Sequence, residues 1–200
     1  MLLGEKSSGG RVFAALTLDE LSLCPLSQRE RGRKKVAAVF RPPFRNRMKR
    51  PSWDDYFLKI TADVAERATC VKRQVGAIIV KDHRILSSGY NGAPKGFDHC
   101  TDETCIRKQM NVPSGQRHEL CRGLHAEQNA IIQAAWHGVK IEGGTLYCNY
   151  QPCVICVKMM INAGIVRVVY AGGYPDELAQ EMLKASDMEV VKYEGRLSRS

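Results

Sequence analysis

Two hundred residues, 44% hydrophobic and 26% charged with a formal net charge of +9, suffice for one domain with a substantial core. No uninterrupted apolar stretch approaches the roughly 20 residues a bilayer span needs, and "VFAALTL" runs straight into Asp19 and Glu20, so neither a membrane anchor nor a secretory signal is expected. Ten of the 30 Lys and Arg but only four of the 21 acids fall within residues 1–47; the mildly basic remainder suits a small anionic ligand better than a nucleic-acid track.

Residues 1–47 read as an irregular basic leader, with "EKSSGG", "SQRERGRKK" and "FRPPFRNR" and no periodic apolar pattern. The character changes at Met48, which we expect to be the natural translation start. A mitochondrial-type presequence is the alternative, weakened by the four acids. Residues 48–200 then form one domain. Ser52 is a plausible N-cap, followed at helical spacing by Trp53, Tyr56, Phe57, Ile60 and Val64. "QVGAIIV", a turn at Lys81 to His83 and "RILSSG" predict a hairpin. Residues 89–122 are polar, loop-rich and cysteine-bearing. A helix is expected from about His125 to Trp136, then a turn at "EGG" and the strand "TLYCN". A second helix follows from about Pro152 to Asn162, then the strand "VRVVYA", the helix "ELAQEMLKAS" and the strand "MEVVKY". This alternation predicts an α/β chain with parallel crossovers and helices on both faces of a sheet.

Two short motifs carry the chemistry. "HAE" places His125 and Glu127 at the start of one expected helix, and "PCVIC" places Cys153 and Cys156 at the start of the next. Alone, C-x-x-C is open between metal binding, redox chemistry and core thiols, and an acid at a helix start needs only the helix dipole to explain it. Together they supply one imidazole and two thiolates, the three protein ligands of a catalytic zinc whose fourth position admits water. Glu127 is then left off the metal as proton carrier, and two helix N-termini favour the thiolate forms. An acidified water could attack a ring carbon bearing an exocyclic amine, with Glu127 moving protons to the ring nitrogen and to departing ammonia. H-x-E followed by P-C-x-x-C is the signature of zinc-dependent deaminases.

Six further cysteines remain. Cys24 lies in the leader and Cys148 in an apolar strand, as a buried thiol would. Cys70, Cys100, Cys105 and Cys121 fall at element ends or in the polar insert and suggest a closed structural zinc, with His99 and His118 as rival ligands. No signal for export accompanies the cysteines, so a reducing, cytoplasmic compartment is expected. Tyr174, after the last strand of the crossover pair, and Arg122, just before the "HAE" helix, are candidates to touch substrate. A tyrosine packing its own turn and an ordinary exposed arginine are the alternatives.

The segments "SWDDYF", "RATC", "VGAIIV", "SGYNGAP", "LHAEQNAI", "QPCVIC" and "INAGIVRVVY" occur in that order between about Pro51 and Tyr193. With them the chain resembles the zinc-dependent cytidine/deoxycytidylate deaminases, and "GYNG" followed by a cysteine-rich insert resembles the deoxycytidylate branch. The resemblance implies a three-layer α/β/α fold around a mixed sheet of about five strands. It implies hydrolysis of dCMP to dUMP, the precursor of dTMP, with Ala126, Tyr174 and Arg122 near substrate and a second, structural zinc. It further implies Asn91 and Gly92 in an effector site for dCTP or dTTP, Mg2+ accompanying such a triphosphate, and a homo-oligomer, hexameric or dimeric. No membrane or nucleic-acid partner is expected. A tRNA adenosine or other nucleobase deaminase, or a non-catalytic zinc protein of DNA uptake, are the rival readings.

Overall fold

The computed structural model describes residues 50–173 and 176–195. The leader, Met48 and Tyr174 lie outside the described residues. Helix α1 (Trp53–Ala65) begins at Ser52, whose hydroxyl accepts from Asp55 N at 3.1 Å while Asp55 returns a bond to Ser52 N, a reciprocal capping box. Its inward residues Phe57, Leu58, Thr61 and Ala65 are buried. Strands β1 (Gly76–Lys81) and β2 (Arg84–Tyr90) form the expected hairpin. Asp82 and His83 both take positive φ, 50° and 59°, the backbone a two-residue hairpin turn requires.

Next come α2 (Ile106–Gln109), a 3-10 turn (His118–Leu120), α3 (Ala126–Trp136) and β3 (Thr145–Cys148). Helix α4 (Val154–Asn162), β4 (Arg167–Tyr170), α5 (Glu177–Ala185) and β5 (Glu189–Lys192) complete the order. The sheet runs β2-β1-β3-β4-β5. Strand β1 is antiparallel to both neighbours, and β3, β4 and β5 are mutually parallel.

One topological consequence places the functional helices. Strands β2 and β3 flank β1 and are each antiparallel to it, so they run in the same direction. The connections β2-α3-β3, β3-α4-β4 and β4-α5-β5 therefore all step the same way across the sheet. Right-handed crossovers put their three helices on a single face. That refines the expectation of crossover helices on both faces: among the described residues, α1 is the helix packed on the other side. The strand pleat divides the core accordingly. Ala77, Ile79, Leu146, Cys148 and Val168 pack with α3, α4 and α5, while Ile78, Val80, Tyr147 and Val169 pack with Phe57 and Leu58 of α1. Central β1 is buried on both faces, which is why its sequence is a continuous apolar run. Each such aliphatic side chain contributes about 1.5–3 kcal/mol on leaving water.

Two close approaches set the helix positions. A Cβ on Gly89 would stand 2.3 Å from both Ala126 O and Ala130 N of α3. A Cβ on Gly76 would stand 2.2 Å from Thr61 O of α1. Glycine alone lets the backbones come so close.

Candidate active site

His125 is the N-cap of α3 and Cys153 the N-cap of α4, both with extended backbone. Their side chains therefore leave the helix ends toward the carboxyl edge of the sheet, where open α/β folds place their sites. Helix α3 is held on β2 by Ser87 Oγ donating to Ala130 O at 2.6 Å and Asn129 Nδ2 donating to Tyr90 O at 2.7 Å. His125 N donates to Gln128 Oε1 at 2.8 Å, fixing the cap. Asp176 accepts from Val154 N and Ala179 N, both at 3.0 Å, and so caps α4 and α5 together.

His125 Nδ1 lies 3.4 Å from Cys153 Sγ and 3.4 Å from Cys156 Sγ, and the two sulfurs are 3.7 Å apart. A tetrahedral zinc with bonds of about 2.0–2.3 Å has ligand–ligand edges of roughly 3.3–3.8 Å. The triangle matches, and the donor set of one imidazole and two thiols fits zinc. Glu127, only 3% exposed, has a carboxylate oxygen within 4.8 Å of the His125 and Cys156 donors. Burial raises its carboxyl above the ordinary range against the pull of His125, as suits a group that must take up and release protons. The Cys153 thiol is lowered to about 4, first by its hydrogen bond with Cys156 and then, against burial, by His125. Burial pushes the His125 imidazole down, but Cys153 and Glu127 outweigh it and raise it.

His125, Glu127 and Cys153 line a cavity of about 140 Å³, and Cys156 is buried beside Cys153. Ala126, the first residue of α3, is fully buried on its wall. Asn91 and Gly92 reach the same cavity. The Asn91 side chain accepts from Val75 N at 2.8 Å and donates to Arg73 O at 2.9 Å, clamping the 69–75 loop. Gly92 and Leu124 exchange backbone bonds of 3.2 and 2.9 Å, closing the base of the 93–123 insert. Arg122 is exposed, donates to Thr104 O at 3.2 Å and is absent from the cavity wall.

Cys105 is buried and Cys70, Cys100 and Cys121 are half-buried. The Cys100 thiol is raised by burial and then by the charges of Cys121, Cys105 and Cys70, so the four sit within electrostatic reach of that sulfur. Among the described residues, the donor triples within 4.8 Å of one another all include His125; the quartet is looser. Cys148 is a fully buried strand thiol, raised by burial and by Glu127.

Sequence reasoning named His118 only as a rival ligand for the second zinc and did not name the other residues gathered here. His118 stacks edge-on against His125 with ring centroids 4.9 Å apart, and its donor lies within 4.8 Å of those of His125 and Cys153. Burial lowers its pKa. Lys72, Arg73, Arg107 and Gln151 also face the cavity. Only Gln128 left a readable signal, a capping-box glutamine three residues after the cap.

A family model for the cytidine and deoxycytidylate deaminase zinc-binding region matches residues 51–172. Deoxycytidylate deaminase of Schizosaccharomyces pombe is 35% identical over 145 residues, covering 72% of this chain and 45% of that one. ComE operon protein 2 of Bacillus subtilis is 38% identical over 148 residues, 74% of each. The crystal structure of dCMP deaminase from cyanophage S-TIM5 in complex with dCMP and dUMP superposes with a TM-score of 0.59 at 30% identity, covering 72% of this chain and 98% of that one. The chain thus spans less than half of its fission-yeast relative. Among the described residues no helix is long and apolar enough to cross a membrane. With the His-Cys-Cys triangle, the buried glutamate and the matching fold together, the chain belongs to the cytidine and deoxycytidylate deaminase family.

Proposed function

We propose that this protein hydrolyses dCMP to dUMP and ammonia. The observation that carries the reading is a zinc-sized triangle, His125, Cys153 and Cys156, beside a buried acid, Glu127, which lines one cavity together with His125 and Cys153. A non-catalytic zinc module has no use for that acid. The similar cyanophage structure, whose ligands are dCMP and dUMP, favours a deoxycytidine monophosphate over other bases.

His125, Cys153 and Cys156 would hold zinc, which supplies a Lewis acid that acidifies water. Glu127 takes a proton from the attacking water as its oxygen bonds to C4 of the pyrimidine. Glu127 then delivers that proton to ring nitrogen N3. It next carries the second proton of the added hydroxyl to the amine, the C4–N bond breaks, and ammonia leaves as C4 becomes a carbonyl. The burial that raises the Glu127 carboxyl brings its pKa nearer that of the groups it must serve. Ala126 lines the cavity at the first turn of α3, where helix amides without intrahelical partners are available as donors to the base.

Cys70, Cys100, Cys105 and Cys121 are proposed to hold a structural zinc that orders the insert, supported by their mutual reach around Cys100. Regulation by dCTP and dTTP with Mg2+, Asn91 and Gly92 in the effector site, Tyr174 at the substrate and assembly into a homo-oligomer are proposals that rest on family resemblance. The test is ammonia release from dCMP, dCTP, deoxycytidine and a tRNA anticodon stem, with and without dCTP and dTTP. Turnover of dCMP is expected; turnover of the RNA alone overturns the reading.

A further inference from the structure

Four buried side-chain polar atoms have no hydrogen-bond partner among the described residues: Thr69 Oγ1, Arg107 Nε, His118 Nδ1 and Gln151 Nε2. All four belong to residues lining the active-site cavity. Orphaned polar atoms are costly wherever water is excluded, so their concentration on one wall marks a surface built for a polar ligand. Arginine N–H and amide N–H groups only donate, and the threonine hydroxyl can donate as well. The missing partner is therefore rich in acceptors.

Charge narrows its class. Lys72 Nζ donates to Val112 O at 2.9 Å, and Arg107 Nη2 donates to Pro113 O at 3.1 Å. Two cations from different loops thus converge on adjacent carbonyls of the insert. Among the described residues neither is paired with a carboxylate. The acids on the wall are Glu127 and Asp176; Glu127 belongs to the proton transfers, and Asp176 is committed to capping α4 and α5. Two cations held on neighbouring carbonyls and lining one cavity, with no carboxylate partner among the described residues, call for an anion. A guanidinium pinned at one nitrogen and open at Nε matches a phosphate's oxygens better than a point charge does.

We propose that Arg107, supported by Lys72, binds the 5′-phosphate of the substrate and makes this pocket select a nucleotide over a nucleoside. This rests on the deaminase reading and adds to it the residue that sets substrate class. It also assigns the insert a role at the reacting nucleotide, in place of Arg122.

The experiment compares wild type, Arg107→Met and Arg107→Lys with dCMP and deoxycytidine, and measures binding of dUMP and deoxyuridine to the same proteins by calorimetry. A charge-assisted contact of this kind predicts that Arg107→Met lowers the dCMP to deoxycytidine ratio of kcat/KM by about 30-fold. The loss falls on KM, and Arg107→Lys, which keeps the charge but not the fork, restores part of it. Preference for dUMP over deoxyuridine falls in parallel. An unchanged ratio, or equal loss of both substrates in the two variants, overturns the proposal. If wild type turns over neither substrate, the deaminase reading fails, and the binding preference alone then decides: its survival in Arg107→Met overturns the phosphate role, and its loss supports it.

Discussion

The helix pair that carries the proposed metal ligands and the insert that faces it are held by different physics. His125 and Cys153 cap α3 and α4, which lie on the sheet through backbone bonds, buried aliphatic contacts and the close approach at Gly89. The 93–123 insert has one four-residue helix and one 3-10 turn. It is anchored by the Gly92–Leu124 bridge and by the Lys72 side chain reaching Val112 O, and it is braced internally by Arg107 donating to Pro113 O. Bond-making groups sit on rigid elements, where fractions of an ångström persist; ligand-reading groups sit on a loop that can be re-cut without disturbing the sheet.

Breaking each region separately should expose that division. The largest effect is expected from Glu127→Gln, which keeps shape and removes the proton carrier: kcat for dCMP falls on the order of 10³–10⁴-fold while metal analysis shows catalytic zinc retained. Unchanged turnover would refute its role. Next comes Gly89→Val, which drives side-chain atoms into Ala126 and Ala130. It should cost about 3 kcal/mol or more of stability and displace His125, seen as a lowered denaturation midpoint together with lost zinc.

On the insert, Cys100→Ser should reduce zinc from two ions per chain to one and leave the sheet folded. Circular dichroism would retain the helical signal while protease cuts the insert faster. A single zinc, unaffected by that substitution, would remove the structural site from the account.

The smallest effect lies away from both regions. Asp54 accepts from Arg167 at 2.9 Å and from Tyr147 at 2.8 Å, and its carboxyl is lowered chiefly by the Arg167 hydrogen bond. A folded pKa below the unfolded value of about 3.9 means the stabilisation is present above pH 4 and lost as pH falls through the folded pKa. The pair is partly exposed, so Asp54→Asn should cost only about 1 kcal/mol near neutral pH. Its acid-unfolding curve should be correspondingly flatter between pH 4 and pH 2. An equal cost at pH 2 and pH 7 would contradict the ion-pair assignment.

The legible parts share a reason. The alternation of apolar runs and caps was enough for α1, the hairpin and the three crossover units, because each depends on neighbours in sequence. Ser52 and the Lys81–His83 turn read correctly for that reason. The His125–Cys153–Cys156 triangle was legible because a helix N-cap position and the C-x-x-C spacing both direct donors locally. Arg107, Gln151 and the approach of His118 to His125 were not, since nothing near them in the chain says that the insert folds back over His125. Arg122 illustrates the converse: two residues before Leu124 in sequence, it turns to Thr104 instead of the cavity.

Local spacing by itself therefore determined the reacting centre, because a helix start positions the residues that follow it whatever surrounds it. Tertiary structure alone decided that three crossover helices share one face, that β1 pairs antiparallel with β3, and which cations of the polar insert and its neighbouring loop reach the cavity. Those outcomes depend on the direction of successive crossovers and on long-range burial. Neither leaves a periodic mark on the chain.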